Sequence, residues 1–146
     1  MPLTPEDDTR HGHRAFEKAG EVKLADTDAA GFLFFANLFK LAHDAYESFM
    51  ASTGLGLNQI IQNMDYLLPI VHAEADYKTP LRLGDRFRIF LKSTVQNHSF
   101  VLTACFRDLS GKIAAEVRTV HVAVSKVTGK KLPLSEQLRK GLLEIS

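Results

Sequence analysis

The sequence predicts an α+β domain in which one long helix is wrapped by a curved antiparallel sheet. Three observations carry this reading. Phe35, Leu38, Phe39, Ala42, Ala45, Tyr46 and Phe49 recur at steps of three and four, the apolar stripe of an amphipathic helix. Segments on either side of that stripe alternate apolar and polar residues with the period of two that a strand requires. The links between the later segments are a few residues long, enough for hairpins and too short for the crossovers that parallel strands need. A sheet curved around a single buried helix satisfies all three.

Taken in order, residues 1–13 hold Pro2, Pro5, Glu6, Asp7 and Asp8 with almost nothing apolar, the composition of a flexible N-terminal tail. His11 and His13 fall in it and read as surface histidines. Residues 14–146 form one domain, with no repeat, low-complexity tract or linker to divide them. A short strand spans Phe16 to Leu24, with Val22 and Leu24 on one face. The loop Asp26-Thr27-Asp28-Ala29-Ala30-Gly31 follows, and a helix of roughly twenty residues, about 30 Å long, runs from Phe32 or Leu33 to Ser52. Lys40, His43, Asp44 and Glu47 occupy its polar side, and Thr53-Gly54-Leu55-Gly56 stops it. From Ile70 to Lys78 the alternation predicts a half-buried strand, Val71, Ala73, Ala75 and Tyr77 against His72, Glu74, Asp76 and Lys78. Strands follow at Arg86 to Val95, at Phe100 to Phe106 after an Asn97-His98 turn, and at Lys112 to Lys126 after Asp108-Leu109-Ser110-Gly111. Ser135 caps a short terminal helix carrying Leu138, Leu142 and Ile145.

Composition narrows the function. Of 146 residues, 45% are hydrophobic, enough for one real core. Eighteen Lys and Arg against seventeen Asp and Glu leave +1, no basis for binding a long row of phosphates, so no nucleic-acid partner is expected. The lone Cys105 makes no internal disulfide and suits a reducing compartment. The acidic start does not read as a signal peptide, and no apolar run reaches the ~20 residues of a membrane helix, so a soluble, cytoplasmic chain without membrane insertion is expected. Four of the ten Phe lie between residues 32 and 39, and Trp is absent.

The most suggestive chemistry lies before the long helix. A helix start offers unpaired N–H groups and the positive end of a dipole, where an oxyanion is stabilised. Asp26 and Asp28 stand beside it, Gly31 permits close approach, and Phe32 to Phe35 make an apolar wall, an arrangement suited to attack on an acyl carbonyl. The alternative is that one aspartate caps the helix, which explains one carboxylate better than two. Elsewhere, Cys105 reads as a buried, inert thiol, and His43 with Glu47 as a solvated ion pair in preference to a metal site, since no third ligand is evident. His72 and Glu74, which share a strand face, read as polar residues of a surface or an interface in preference to catalytic ones, and His98 and His121 as a turn histidine and a satisfied strand histidine. Lys130 and Lys131 either hold a phosphate or keep a turn soluble. No serine-hydrolase elbow is present.

Leu24-Ala25-Asp26-Thr27-Asp28-Ala29-Ala30-Gly31, followed by an aromatic segment ending in Ala36-Asn37, resembles the active-site signature of the hotdog-fold acyl-CoA thioesterases related to 4-hydroxybenzoyl-CoA thioesterase. The likeness continues through Leu68 to His72, Asp76 to Pro80, Gly84-Asp85 and His121 to Ala123, covering roughly residues 16 to 135. A-D-T-D-A-A-G, H-D-A-Y-E and L-P-I-V-H-A together are most similar to the 1,4-dihydroxy-2-naphthoyl-CoA hydrolases of quinone biosynthesis. The resemblance implies a hotdog fold, a homodimer with a continuous sheet assembled into a homotetramer, and hydrolysis of an acyl-CoA to acid and coenzyme A with no metal or other cofactor. It implies Asp28 as nucleophile or general base, the backbone N–H of Phe35 as oxyanion donor, and Gly31 as the point of thioester approach. Phe34 and Phe39 would line the acyl pocket, and His98, Ser99, Lys130 and Lys131 would contact pantetheine and phosphates. Short-chain thioesterases of the superfamily often carry histidine where this chain has Phe35, and the aromatic residue points to a large flat acyl group. A short-chain or broad-specificity thioesterase, or a non-catalytic acyl-carrier binding protein, are the other functions that the sequence allows.

Overall fold

The computed structural model describes residues 15–146, so the predicted tail with His11 and His13 lies outside it. Strand β1 (Phe16–Glu21) leads through a 3-10 turn (Leu24–Asp26) and an irregular aromatic segment into helix α1 (Asn37–Ser52). Then come α2 (Leu57–Asn63), β2 (Tyr66–Leu67), β3 (Ile70–Tyr77), β4 (Arg86–Val95), β5 (Ser99–Asp108), β6 (Ile113–Val122), β7 (Val124–Ser125) and α3 (Glu136–Leu143). The five long strands form one sheet in the order β1-β4-β5-β6-β3, antiparallel throughout. β2 and β7 pair separately.

Alternation explains which face the helix covers. Phe87, Ile89 and Leu91 of β4, Phe100, Leu102, Ala104 and Phe106 of β5, and Ala115 and Val117 of β6 are all buried on the concave side. Against them α1 sets Leu38, Ala42, Ala45, Tyr46, Phe49 and Met50. Each such Leu or Phe contributes about 1.5–3 kcal/mol on leaving water, which is why the stripe dictates the orientation of the helix. α3 closes one end of the core with Leu138 and Leu142, joined by Ile145 in the turn just past its end and not on the helix as the pattern suggests, and Ser135 caps it by accepting the Leu138 N–H at 3.3 Å. Among the described residues no helix is long and apolar enough to cross a membrane.

Four expectations are corrected. α1 starts at Asn37, several residues later than the pattern suggests, and its 16 residues span about 24 Å. The reason is that Phe32 and Leu33 spend their backbone groups on bridges to Arg82 and Thr27, and the Leu33 and Phe34 N–H groups go to the carbonyls of Leu81 and Asp26 at 2.8 and 2.9 Å. β1 ends at Glu21, and Leu24 enters the 3-10 turn 74% exposed in place of facing the core. The last long strand stops at Val122, because Val124 and Ser125 switch to pair with β2. β3 is exposed along almost its whole length and not half-buried, since it is an edge strand that α1 leaves largely uncovered. α2, which no pattern predicted, is too short for a helical period to register, and buries only Ile60.

Candidate active site

The loop before α1 is built by its two aspartates in different ways. Asp26 is buried, and its Oδ2 accepts the Lys23 N–H at 3.0 Å, closing the 3-10 turn. Its carbonyl accepts both the Phe34 N–H and the Asn37 side-chain amide at 2.9 Å, so it holds the first residue of α1 in place. Asp28 is exposed. Its Oδ1 accepts the N–H groups of Ala30 at 2.9 Å and Phe32 at 3.1 Å, an arrangement that asparagine and aspartate favour in turns. The second oxygen has no hydrogen-bond partner among the described residues, leaving it available to a ligand.

Neither aspartate caps α1. The N-cap position is Ala36, which supplies no side-chain bond, so the alternative of a capping aspartate is set aside. The first helical turn instead closes with short backbone bonds from Asn37, Leu38 and Phe39 to the carbonyls of Phe34, Phe35 and Ala36. The Phe35 N–H consequently donates to no acceptor among the described residues, at the positive end of the helix dipole. Phe35 is anchored from the other side, its carbonyl accepting the Tyr77 hydroxyl of β3 at 2.6 Å. Its ring is 62% exposed and packs on Phe34 at 4.7 Å between centroids, outside the core. Gly31 adopts φ 83°, a backbone conformation that side chains disfavour, and an added Cβ there would meet nothing within 4 Å, so the space beside it is open.

A cavity of about 380 Å³ lies between α1 and the sheet. Phe39, Ala42, His43 and Tyr46 form its helix side, and Ile70, Ala73, Leu102 and Thr119 belong to its sheet side. Phe39 is the third residue of α1, four positions after Phe35 in the chain. The volume falls in the range of small-molecule sites, roughly 300–1,000 Å³. Tyr46, His43 and Thr119 were not predicted as lining residues. Thr119 and His121 carried a signal all the same, as polar residues at the inward-facing positions that follow Ala115 and Val117 on β6.

His121 is buried, with its ring stacked on Phe100 at 4.7 Å and 6° and beside Tyr46 at 4.7 Å. Its Nε2 lies 2.9 Å from Thr119 Oγ1, while Nδ1 makes no well-formed hydrogen bond among the described residues, so it is only half satisfied. Burial, reinforced by the charge of His43 and opposed by a smaller upward pull from the Leu68 backbone, lowers its pKa from 6.5 to about 4. The unfolded chain therefore takes up this proton below pH 6.5 while the folded chain does so only near 4, so stability falls as pH drops through that window. The expected loss is about 3 kcal/mol. Urea unfolding at pH 7 and pH 4.5 should show a steeper decline for the wild type than for His121→Gln; equal declines would refute this origin.

The remaining predicted residues separate. His98, Ser99, Lys130 and Lys131 cluster together, because the His98 carbonyl accepts the Ala123 N–H at 2.9 Å, Ser99 faces Val122, and Lys131 bridges Val124. That cluster lies where β4 ends and β3 begins, whereas Asp28, Gly31 and Phe35 lie where β3 ends and β4 begins. Ten-residue strands put about 33 Å between the two ends, so one chain does not bring the groups together. His43 and Glu47 form no ion pair among the described residues; His43 instead turns its ring to Tyr46 at 5.4 Å. His72 pairs with Glu74 at 3.7 Å, and Arg118 bonds the same carboxylate at 2.9 Å, lowering its pKa. Cys105 is half-buried, not fully buried, and burial raises its thiol pKa.

Comparison with known proteins gives a consistent picture. A model of the thioesterase-like superfamily matches residues 22–142. A 1,4-dihydroxy-2-naphthoyl-CoA hydrolase from Rippkaea orientalis is 36% identical over 124 residues, spanning 83% of this chain and 90% of the relative. The crystal structure of a 1,4-dihydroxy-2-naphthoyl-CoA thioesterase from Synechocystis superposes with a TM-score of 0.84 at 34% identity, covering 88% of this chain and 96% of that one. A gentisyl-coenzyme A thioesterase superposes with a TM-score of 0.77 at 26% identity over 86% and 98% of the two chains.

Proposed function

Because this chain belongs to the thioesterase-like superfamily, we propose that it hydrolyses an aromatic acyl-CoA, 1,4-dihydroxy-2-naphthoyl-CoA in quinone biosynthesis, to the free acid and coenzyme A. The observation that carries the reading is the pairing of a Phe35 N–H that donates to no acceptor among the described residues, just ahead of α1, with an Asp28 carboxylate that has one anchored and one available oxygen. The thioester carbonyl oxygen accepts the Phe35 N–H, which stabilises the negative charge that gathers there as the carbon becomes tetrahedral. Asp28 acts on that carbon by one of two routes. As nucleophile it expels the coenzyme A thiolate and forms a mixed anhydride, which water then cleaves to acid and free Asp28. As general base it takes a proton from the water that attacks. Both routes use carboxylate and N–H alone, with no resident metal or other cofactor. The acyl ring lies in the gap between α1 and β3 with Phe39 on its wall, while the exposed Phe34, which is not part of that wall, is assigned to the entrance.

The second end of the sheet enters the site through a partner. β3 presents an unpaired edge, and antiparallel pairing of two such edges about a two-fold axis sets the Ile70 end of one chain beside the Tyr77 end of the other. His98, Ser99, Lys130 and Lys131 of one subunit then serve the phosphates and pantetheine of a substrate held at Asp28 of its mate. Two dimers form a homotetramer, and the single Cys105 suits the reducing cytoplasm.

Thiol release from naphthoyl, benzoyl and butyryl thioesters of coenzyme A tests the substrate class. The aromatic substrates are expected to be cleaved fastest. Fastest turnover of the butyryl thioester would assign a short-chain enzyme, and tight binding without release would assign an acyl-binding protein. Light scattering on the same sample should give an oligomer; a monomer would contradict the shared site.

A further inference from the structure

We propose that Thr119 selects for a hydroxylated acyl ring by accepting a hydrogen bond from the ring's distal hydroxyl, a specificity role that rests on the aromatic acyl-CoA reading above. Every residue that the sheet contributes to the cavity wall is aliphatic except Thr119. Register places it centrally, opposite Ala73 of β3 on one side and Leu102 of β5 on the other. Valine would fill that position with the same shape, and a hydroxyl on an aliphatic floor is unfavourable unless it is hydrogen-bonded. His121 meets part of that need, with Nε2 at 2.9 Å. The imidazole is itself held fast by stacking on Phe100, and so fixes the direction in which Thr119 faces.

Whichever of the two carries the shared proton, Thr119 Oγ1 keeps a lone pair that can accept another hydrogen bond. A ring hydroxyl entering the cavity is a fitting donor. In a 1,4-dihydroxy-2-naphthoyl group the 1-hydroxyl is engaged by the neighbouring thioester carbonyl, so the 4-hydroxyl is the one that needs a protein acceptor. The other polar wall residues suit this less. Lys40 and His43 are exposed, where water competes; the Tyr46 hydroxyl is buried without a hydrogen-bond partner among the described residues, and a preference that survives in Thr119→Val would pass the role to it.

The test compares 1,4-dihydroxy-2-naphthoyl-CoA with 1-hydroxy-2-naphthoyl-CoA, which differ only in the 4-hydroxyl. The wild type is expected to prefer the dihydroxy substrate by roughly tenfold in kcat/KM, the effect of one hydrogen bond between neutral groups. Thr119→Val should lose that preference through a raised KM for the dihydroxy substrate, so that its ratio of kcat/KM between the two substrates falls to about one. Thr119→Ser, which keeps the hydroxyl, should retain it. A wild type without the preference, an equal fall of Thr119→Val on both substrates, or a preference unchanged in that variant overturns the role of Thr119 and leaves the hydrolase reading standing. A wild type that releases thiol from neither substrate overturns both.

Discussion

Asp28→Asn is expected to lower kcat for aromatic acyl-CoA hydrolysis by about a thousandfold or more, with KM little changed. The substitution is well matched to its purpose. Asparagine keeps an oxygen where Oδ1 accepts the Ala30 and Phe32 N–H groups, so the loop that shapes the site is preserved. What disappears is the charge, and with it both the nucleophile and the base. Because Asp28 is exposed and outside the core, the variant should unfold at the same urea concentration as the wild type. Thiol-release kinetics beside an unfolding curve measure both, and a fully active, stable Asp28→Asn enzyme would remove Asp28 from the mechanism.

The second large effect is expected from Phe35→Pro. Proline deletes one atom group of interest, the N–H that donates to nothing in the described structure, and so breaks no native hydrogen bond. The residue before it, Phe34, lies outside α1, so the extended bias that proline places on its predecessor interrupts no turn of that helix. Loss of a single oxyanion donor corresponds to about 10²–10³ in kcat. Phe35→Ala serves as the control, since it removes the ring and keeps the donor, and should lose far less turnover. Equal activity of the proline and alanine variants would show that the ring, and not the N–H, is what matters.

The sheet was readable because β4, β5 and the first part of β6 are covered on one face only, and a residue such as Phe87 or Phe106 then alternates cleanly with a polar neighbour. The start of α1 was not, because Phe32 to Phe35 continue the apolar stripe although their backbone is held by Thr27, Asp26, Leu81 and Arg82. Sequence periodicity reports side chains and is blind to where backbone hydrogen bonds go. That same misplacement hid the Phe35 N–H as a structural feature; it was nominated by family resemblance, not by the stripe. Asp26 and Asp28 stood out together by position and the family resemblance singled out Asp28; in the structure the two differ as a buried and an exposed turn. β3 misled in the opposite way. Its alternation is real, but a strand at the sheet edge is exposed in one chain, and a pattern that promises burial there fits the paired edge of a second copy.

The most direct test of the account is the structure of the Asp28→Asn protein bound to an unhydrolysed aromatic acyl-CoA. The thioester carbonyl oxygen is expected about 3 Å from the Phe35 N–H, with the ring in the gap between α1 and β3, its far side against Thr119, and the phosphates beside Lys130 and Lys131 of the adjoining subunit. A carbonyl turned away from Phe35, or a ring lodged outside that gap, would contradict it.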